Sequence, residues 1–213
     1  MAVRADNNLR GPGMAPRIFA VFILLSFWGP VTSFAATNDP LSVVKDTTDQ
    51  VLATLRAQRE QIKKDPKHVY SIIEKQILPK IDFSRMSRWV LGKYWRKASK
   101  QQKEIFAKEF RRLIVRTYAT ALLEYNGQQI TYPALHMKEG ATDVTVQTII
   151  DQPGGVPIPV AYSLHKNGDK QWKVYDMIID GISLITNYRS SFASEIRRGS
   201  LQQLIDKLIV HNK

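Results

Sequence analysis

At Gln128 the hydrophobic period of the chain changes, and this change restricts the fold more than any other feature of the 213 residues. Up to Asn126, apolar residues recur at three-, four- and seven-residue spacings, as in helices packed by one face. From Gln128 to about Ile179 they alternate, as in strands with one covered face. After Asp180-Gly181 the helical spacing returns. Helices, then strands, then helices describe an α+β fold: a curved antiparallel sheet of about four strands with helices packed on one face.

The helical part divides at its caps. Leu41, Val44, Thr48, Val51, Leu55 and Ile62 mark one amphipathic helix ending near Asp65-Pro66. Val69, Ile72, Ile73, Gln76 and Ile77 mark a second, which Pro79 kinks or ends. Asp82 caps a short third helix that runs through Trp89, Val90 and Leu91 to Gly92. Ser99 with Gln102 has capping-box spacing and opens a long helix to about Asn126. Its apolar stripe includes Phe106, Phe110, Ile114, Tyr118 and Leu122, a pattern that plain core packing explains as well as a ligand pocket does. Between the third and fourth helices, Leu91-Gly92-Lys93-Tyr94-Trp95 is aromatic and basic. It reads equally as a lipid–water boundary and as a helix–helix corner.

In the strand part, Gln129–Lys138 is a candidate strand interrupted by Pro133. Val144, Val146, Thr148 and Ile150 alternate on a second. Val156, Ile158, Val160, Tyr162 and Leu164 line a third. Asn167-Gly168 is a hairpin turn signal. Lys170 to Tyr188 then starts as a strand through Trp172, Val174, Tyr175, Met177 and Ile178. It turns at Asp180-Gly181 and continues as the Ser183–Arg198 helix. Ser200 and Gln203 cap a last helix.

The N-terminus bears on location. Arg4, Arg10 and Arg17 precede the apolar run Ile18–Trp28, Gly29-Pro30 ends it, and Ser33-Phe34-Ala35 offers small residues where a signal peptidase reads. Residues 1–35 are expected to be a cleaved signal peptide, cut after Ala35, leaving residues 36–213 as a single exported domain, periplasmic or extracellular. The apolar run is shorter than the roughly 20 residues a membrane span needs. The formal charge of +12 favours acidic partners. For an exported chain those are anionic lipid headgroups and membrane proteins; no nucleic-acid partner is expected. With no cysteine, disulfides, thiolate metal sites and a cysteine nucleophile are excluded.

No enzyme motif stands out. His68, His136, His165 and His211 lack metal-ligand spacing, and there is no P-loop, GxGxxG or GxSxG. Asp176 lies among apolar neighbours. It reads either as a general base in a small exported enzyme or as a structural carboxylate accepting backbone hydrogen bonds. A solid-core module that only binds partners is a further alternative.

Pieces of sequence in a fixed order carry a resemblance. They are Ile77-Leu78-Pro79; Leu91-Gly92 with Tyr94; Gln102, Phe106, Phe110 and Leu113; Tyr118, Ala121-Leu122, and Tyr125 with Gly127-Gln128. Last come Trp172 and Tyr175-Asp176-Met177-Ile178 leading into Gly181-Ile182-Ser183. The set resembles the MlaC (toluene-tolerance) family over about Leu41 to Ile209, with Asp180 where that family usually has Glu. The resemblance implies a periplasmic phospholipid carrier, not an enzyme. It implies exchange of lipid between an inner-membrane ABC transporter complex and an outer-membrane lipoprotein complex, which maintains outer-membrane lipid asymmetry. The cargo is phospholipid, there is no cofactor, and a monomer is expected. Acyl chains are expected in an apolar lipid cavity between sheet and helices. Its candidate lining is Leu91, Phe106, Phe110, Ile114, Tyr118 and Leu122 from the helices. From the sheet come Val146, Tyr162, Leu164, Trp172, Val174, Tyr175, Met177 and Ile178. Lys93, Arg96, Arg111, Arg112 and Arg116 are candidate docking charges.

Overall fold

Asp39 starts the first helix: its carboxylate accepts the Ser42 amide at 2.9 Å, and Pro40 occupies the first turn. The computed structural model describes residues 39–213, which belong to one compact unit; the expected signal peptide lies outside the described residues. Among the described residues no helix is long and apolar enough to cross a membrane. The helix expected to reach Asp65 is broken at Gln58 into α1 (Pro40–Ala57) and α2 (Arg59–Lys64). The next, α3 (His68–Ile72), widens into a π turn over Ile73–Ile77, in which the Leu78 amide bonds the Ile73 carbonyl. A single 3-10 turn, Leu78–Lys80, carries Pro79.

The capping residues act as their spacing indicates. Asp82 accepts the Arg85 amide at 2.8 Å and starts α4 (Phe83–Leu91). Gly92 ends it at φ 51°, a left-handed conformation that favours glycine. The short α5 (Lys93–Lys97) follows. Ser99 and Gln102 close a reciprocal capping box, both bonds 3.1 Å, at the head of α6 (Lys100–Leu123).

The sheet has five antiparallel strands in sequence order: β1 (Ile130–Thr131), β2 (Asp143–Ile150), β3 (Ile158–Lys166), β4 (Trp172–Ile179) and β5 (Ile182–Ser183). Only two residues of the expected Gln129–Lys138 strand pair, since Pro133 has no amide for a ladder. The β5 strand was not foreseen. Asp180 and Gly181, both at positive φ, fold the chain back onto β4 before Ser183 caps α7 (Leu184–Arg198). The last helix is α8 (Leu201–His211).

Register decides which side chains share a face. Val144, Val146 and Thr148 stand opposite Leu164, Tyr162 and Val160, and Tyr162 stands opposite Met177. The β3–β4 ladder slips between Ser163 and Leu164, so Tyr175 has no partner. This bulge leaves Tyr175 beside Asp176 on the reverse face. The first half of α1 covers the front face through Leu41 and Val44. At β4 the reverse face meets α4 and α7: Tyr175 packs on Trp89, and Asp176 bonds the head of α7. The fold is the expected α+β one, but helices meet both faces of the sheet where one was expected, α1 on the front and α4 and α7 on the reverse.

Buried apolar residues fall into three clusters. The first joins α4, α6, α7 and α8 around Phe106, Phe110, Phe192 and Ile205. The second joins the later half of α1, through Val51 and Leu55, to α3, the π turn and α6. The third is the front face of the sheet with Val44. Ile81 touches the first and third, and Phe83 the first and second. There the chain runs along the β4 edge: the Asp82 amide bonds the Val174 carbonyl at 2.8 Å, and Lys173 Nζ bonds the Pro79 carbonyl at 2.7 Å.

Candidate ligand-binding interior

Of the fourteen candidate lining residues, six meet on the front of the sheet. Val146, Leu164, Trp172 and Val174 are buried there, and Tyr162 and Met177 are partly buried. Leu91, Phe106, Phe110 and Ile114 lie instead in the helical cluster, with Tyr118 and Tyr175 against it. The Phe106 and Phe110 rings stack at 5.6 Å, and Phe192 meets both edge-on. Both phenylalanines are 0% exposed, so neither presents surface to a ligand in this conformation. Leu122 packs on the second cluster. Ile178 pairs with Ala161 on the reverse face. The structure therefore keeps the front-face candidates and the α6 candidates apart.

Between the second and third clusters there is no shared residue, although both draw on α1. Partly buried apolar groups stand on either side: Tyr132, Leu135, Tyr162 and Met177 with the sheet, Ile77, Val115 and Leu122 with the helices. Tyr162 is the clearest case. Burial pushes its hydroxyl pKa up, against the opposing hydrogen bond with Thr148. Yet the residue keeps accessible surface. Tyr132 and Leu135 also pack on this front-face cluster; they were not among the sequence candidates because the segment around Pro133 reads as a strand, and the only sequence signal was their apolar character.

On the reverse face the polar groups are engaged with one another. Asp82 Oδ2 lies 2.8 Å from His165 Nε2, Arg85 bonds Asp143 at 3.0 Å, and the Arg85 guanidinium lies over Tyr175. Asp176 is 8% exposed. One of its oxygens accepts the Ser183 hydroxyl at 2.6 Å and the other the Ile185 amide at 3.1 Å. Ser183 in turn accepts the Thr186 amide. Asp176 thus anchors the first turn of α7 to β4, the structural of its two readings.

The five candidate docking charges separate. Arg112 bonds the buried Glu109 at 3.0 Å, Arg116 bonds the His211 carbonyl at 3.0 Å, and Arg111 lies 3.9 Å from Glu74. Lys93 and Arg96, beside the α4–α5 corner, have no carboxylate within 4.0 Å among the described residues.

The fold defines a class: α+β domains in which an antiparallel sheet packs one apolar face on α1 and meets further helices with the other. Residues 45–209 match the family model described as MlaC protein, and the chain belongs to the MlaC family. It is 28% identical over 189 residues to the intermembrane phospholipid transport system binding protein MlaC of Haemophilus influenzae, covering 88% of each chain. It is 32% identical over 189 residues to the toluene tolerance protein ttg2D of Pseudomonas putida, covering 87% of this chain and 86% of that one. Among solved structures it is similar to the phospholipid-binding protein of Ralstonia solanacearum in complex with a phospholipid. That match has a TM-score of 0.75 and 30% identity, and covers 82% of this chain and 97% of the other.

Proposed function

We propose that this chain is a periplasmic phospholipid carrier. Residues 36–213 form the mature domain after cleavage at Ala35. The domain holds acyl chains between the front of the sheet and the α1–α3–α6 helices. It exchanges lipid with an inner-membrane ABC transporter complex and an outer-membrane lipoprotein complex. The likeness to a phospholipid-binding protein solved in complex with a phospholipid carries the reading, and Tyr162, a phenol desolvated by burial on the apolar front of the sheet, supports it. The relatives are named for binding and transport rather than for a reaction, and the engagement of both Asp176 oxygens supports the same view.

The energetics suit such a carrier. Each methylene removed from water gains roughly 0.8 kcal/mol, so two acyl chains gain on the order of 20 kcal/mol. An apolar interior of tolerant shape retains such a cargo without a specific headgroup contact.

The test is organic extraction and lipid mass spectrometry of protein purified from the periplasm without detergent. About one phospholipid per chain is expected, released on denaturation. Met177→Trp and Leu122→Trp, which add bulk on opposite walls, should lower occupancy while the circular dichroism spectrum is kept. Failure of delipidated protein to load phospholipid would overturn the reading.

A further inference from the structure

The α4–α5 corner, which the sequence left open between a lipid boundary and a helix corner, forms a groove. Two adjoining hollows of about 430 and 520 Å³ share Arg88, Gly92 and Lys93. One extends to Trp89, Tyr94 and Arg189, the other to Trp95 and Arg96. Four cations and three aromatic side chains thus line one concavity, and no acidic residue does. Among the described residues none of the four cations has a carboxylate within 4.0 Å.

Part of this charge serves the fold. Arg189 Nε donates to the Trp89 carbonyl at 2.7 Å, at the last turn of α4, where cations are favoured. That bond, with the Trp89 ring 5.9 Å away, holds the guanidinium in place and leaves its two terminal nitrogens for an anion. Arg88, Lys93 and Arg96 exceed what one helix terminus needs. Trp89 is 45% exposed, much for an indole. The aromatic rings form walls of a hollow rather than a projecting tip, a shape that receives a protruding chain better than a flat bilayer surface.

We propose that this groove docks an acidic segment of a partner protein, with carboxylates flanking an apolar side chain that sits against Trp89. The inference rests on the carrier reading only for its purpose; it names the chemistry of the partner that such a carrier meets. Arg88, Lys93, Arg96 and Arg189 take the carboxylates, and Trp89, Tyr94 and Trp95 take the apolar group.

The probe is a fluorescein-labelled peptide in which Glu-Glu-Leu-Phe-Glu-Glu is repeated, compared with its Gln isostere. The acidic peptide is expected to bind with an affinity that falls as salt rises, and the isostere not to bind. It should move the indole N–H resonances of Trp89 and Trp95 and leave that of Trp172 in place. Lys93→Gln with Arg96→Gln should weaken binding about tenfold, the scale of losing two exposed charge pairs at once. Trp89→Ala should also weaken it, and Lys64→Gln with Lys75→Gln, on other elements, should not. Equal weakening by the distant pair would overturn the proposal as unspecific attraction. So would vesicles of equimolar phosphatidylglycerol and phosphatidylcholine that move the Trp89 and Trp95 resonances while the peptide does not; the groove would then face lipid. Phospholipid content is measured on every sample. Unaltered lipid with unaltered peptide binding in the groove variants refutes the groove alone. Delipidated protein that fails to load phospholipid yet still binds the peptide refutes the carrier reading alone.

Discussion

Replacing Asp176 by alanine removes both acceptors that hold the start of α7. The Ile185 amide, at 3.1 Å from Oδ1 and on a residue only 4% exposed, is left buried without a partner. The Ser183 hydroxyl loses its bond at 2.6 Å. Hydrogen bonds to a charged group contribute roughly 1.5–3 kcal/mol each, and a carboxylate at a helix N-terminus adds about 0.3–1 kcal/mol. Because the two bonds share one carboxylate they do not add fully, and the expected loss is about 3–5 kcal/mol. For a domain of this size that lowers the melting temperature by roughly 6–20 °C. Asp176→Asn keeps an acceptor for the Ile185 amide and loses the charge, so about 1–2 kcal/mol is expected. The assay is urea unfolding followed by circular dichroism, with phospholipid content measured in parallel. A loss below about 1 kcal/mol for Asp176→Ala would refute the anchoring argument. An Asp176→Asn protein that is stable yet empty of lipid would assign the carboxylate a part in binding.

Ser99→Ala opens the capping box of α6 and is expected to cost about 1 kcal/mol, visible as a fall of about 2–4 °C in melting temperature. At Gly92 an added Cβ would find its nearest neighbours at 3.9 and 4.0 Å, so the cost of Gly92→Ala comes from φ 51° rather than from collision; about 1–3 kcal/mol is expected by thermal unfolding. Burial raises the phenols of Tyr118, Tyr132, Tyr162 and Tyr175. Their native pKa values lie above the unfolded value of about 10, so their contribution to stability is intact below pH of about 10 and is lost as pH climbs through the native values. In an ultraviolet titration these tyrosines should ionise late, and Tyr162→Phe should remove one from the late group. Ionisation of every tyrosine reversibly near pH 10 would contradict this.

Local chemistry was legible in the sequence wherever one side chain closes one hydrogen bond. Asp82, Ser99 and Ser200 each cap the helix their spacing indicates. The order of strands could be read as well, because short turns leave antiparallel neighbours little choice. Events that depend on the partner strand were hidden. The bulge at Tyr175 is a mismatch between two strands, and alternation within one strand does not reveal it. The break at Gln58 and the π turn before Pro79 likewise interrupt stripes whose periodicity continues across them. The division of α6 was hidden for another reason. Phe106 and Ile114 face one cluster while Val115 and Leu122 face a second, and a single stripe of apolar residues records burial but not the identity of the neighbour.

The placement of α1 has a mechanical consequence. Its first half grips the sheet through Val44, and its second half grips the helices through Val51 and Leu55. The run from Pro79 to Phe83 is sewn to the edge of β4. The molecule is thus built like a purse, with a spine at β4 and a clasp at α1. To part the two walls, the spine flexes and the clasp yields, either by letting go of one wall or by melting between Val44 and Val51. If cargo enters by parting these walls, the local stability of a single helix sets how often they part, and hydrogen exchange in α1 is expected to run faster than in β2–β4.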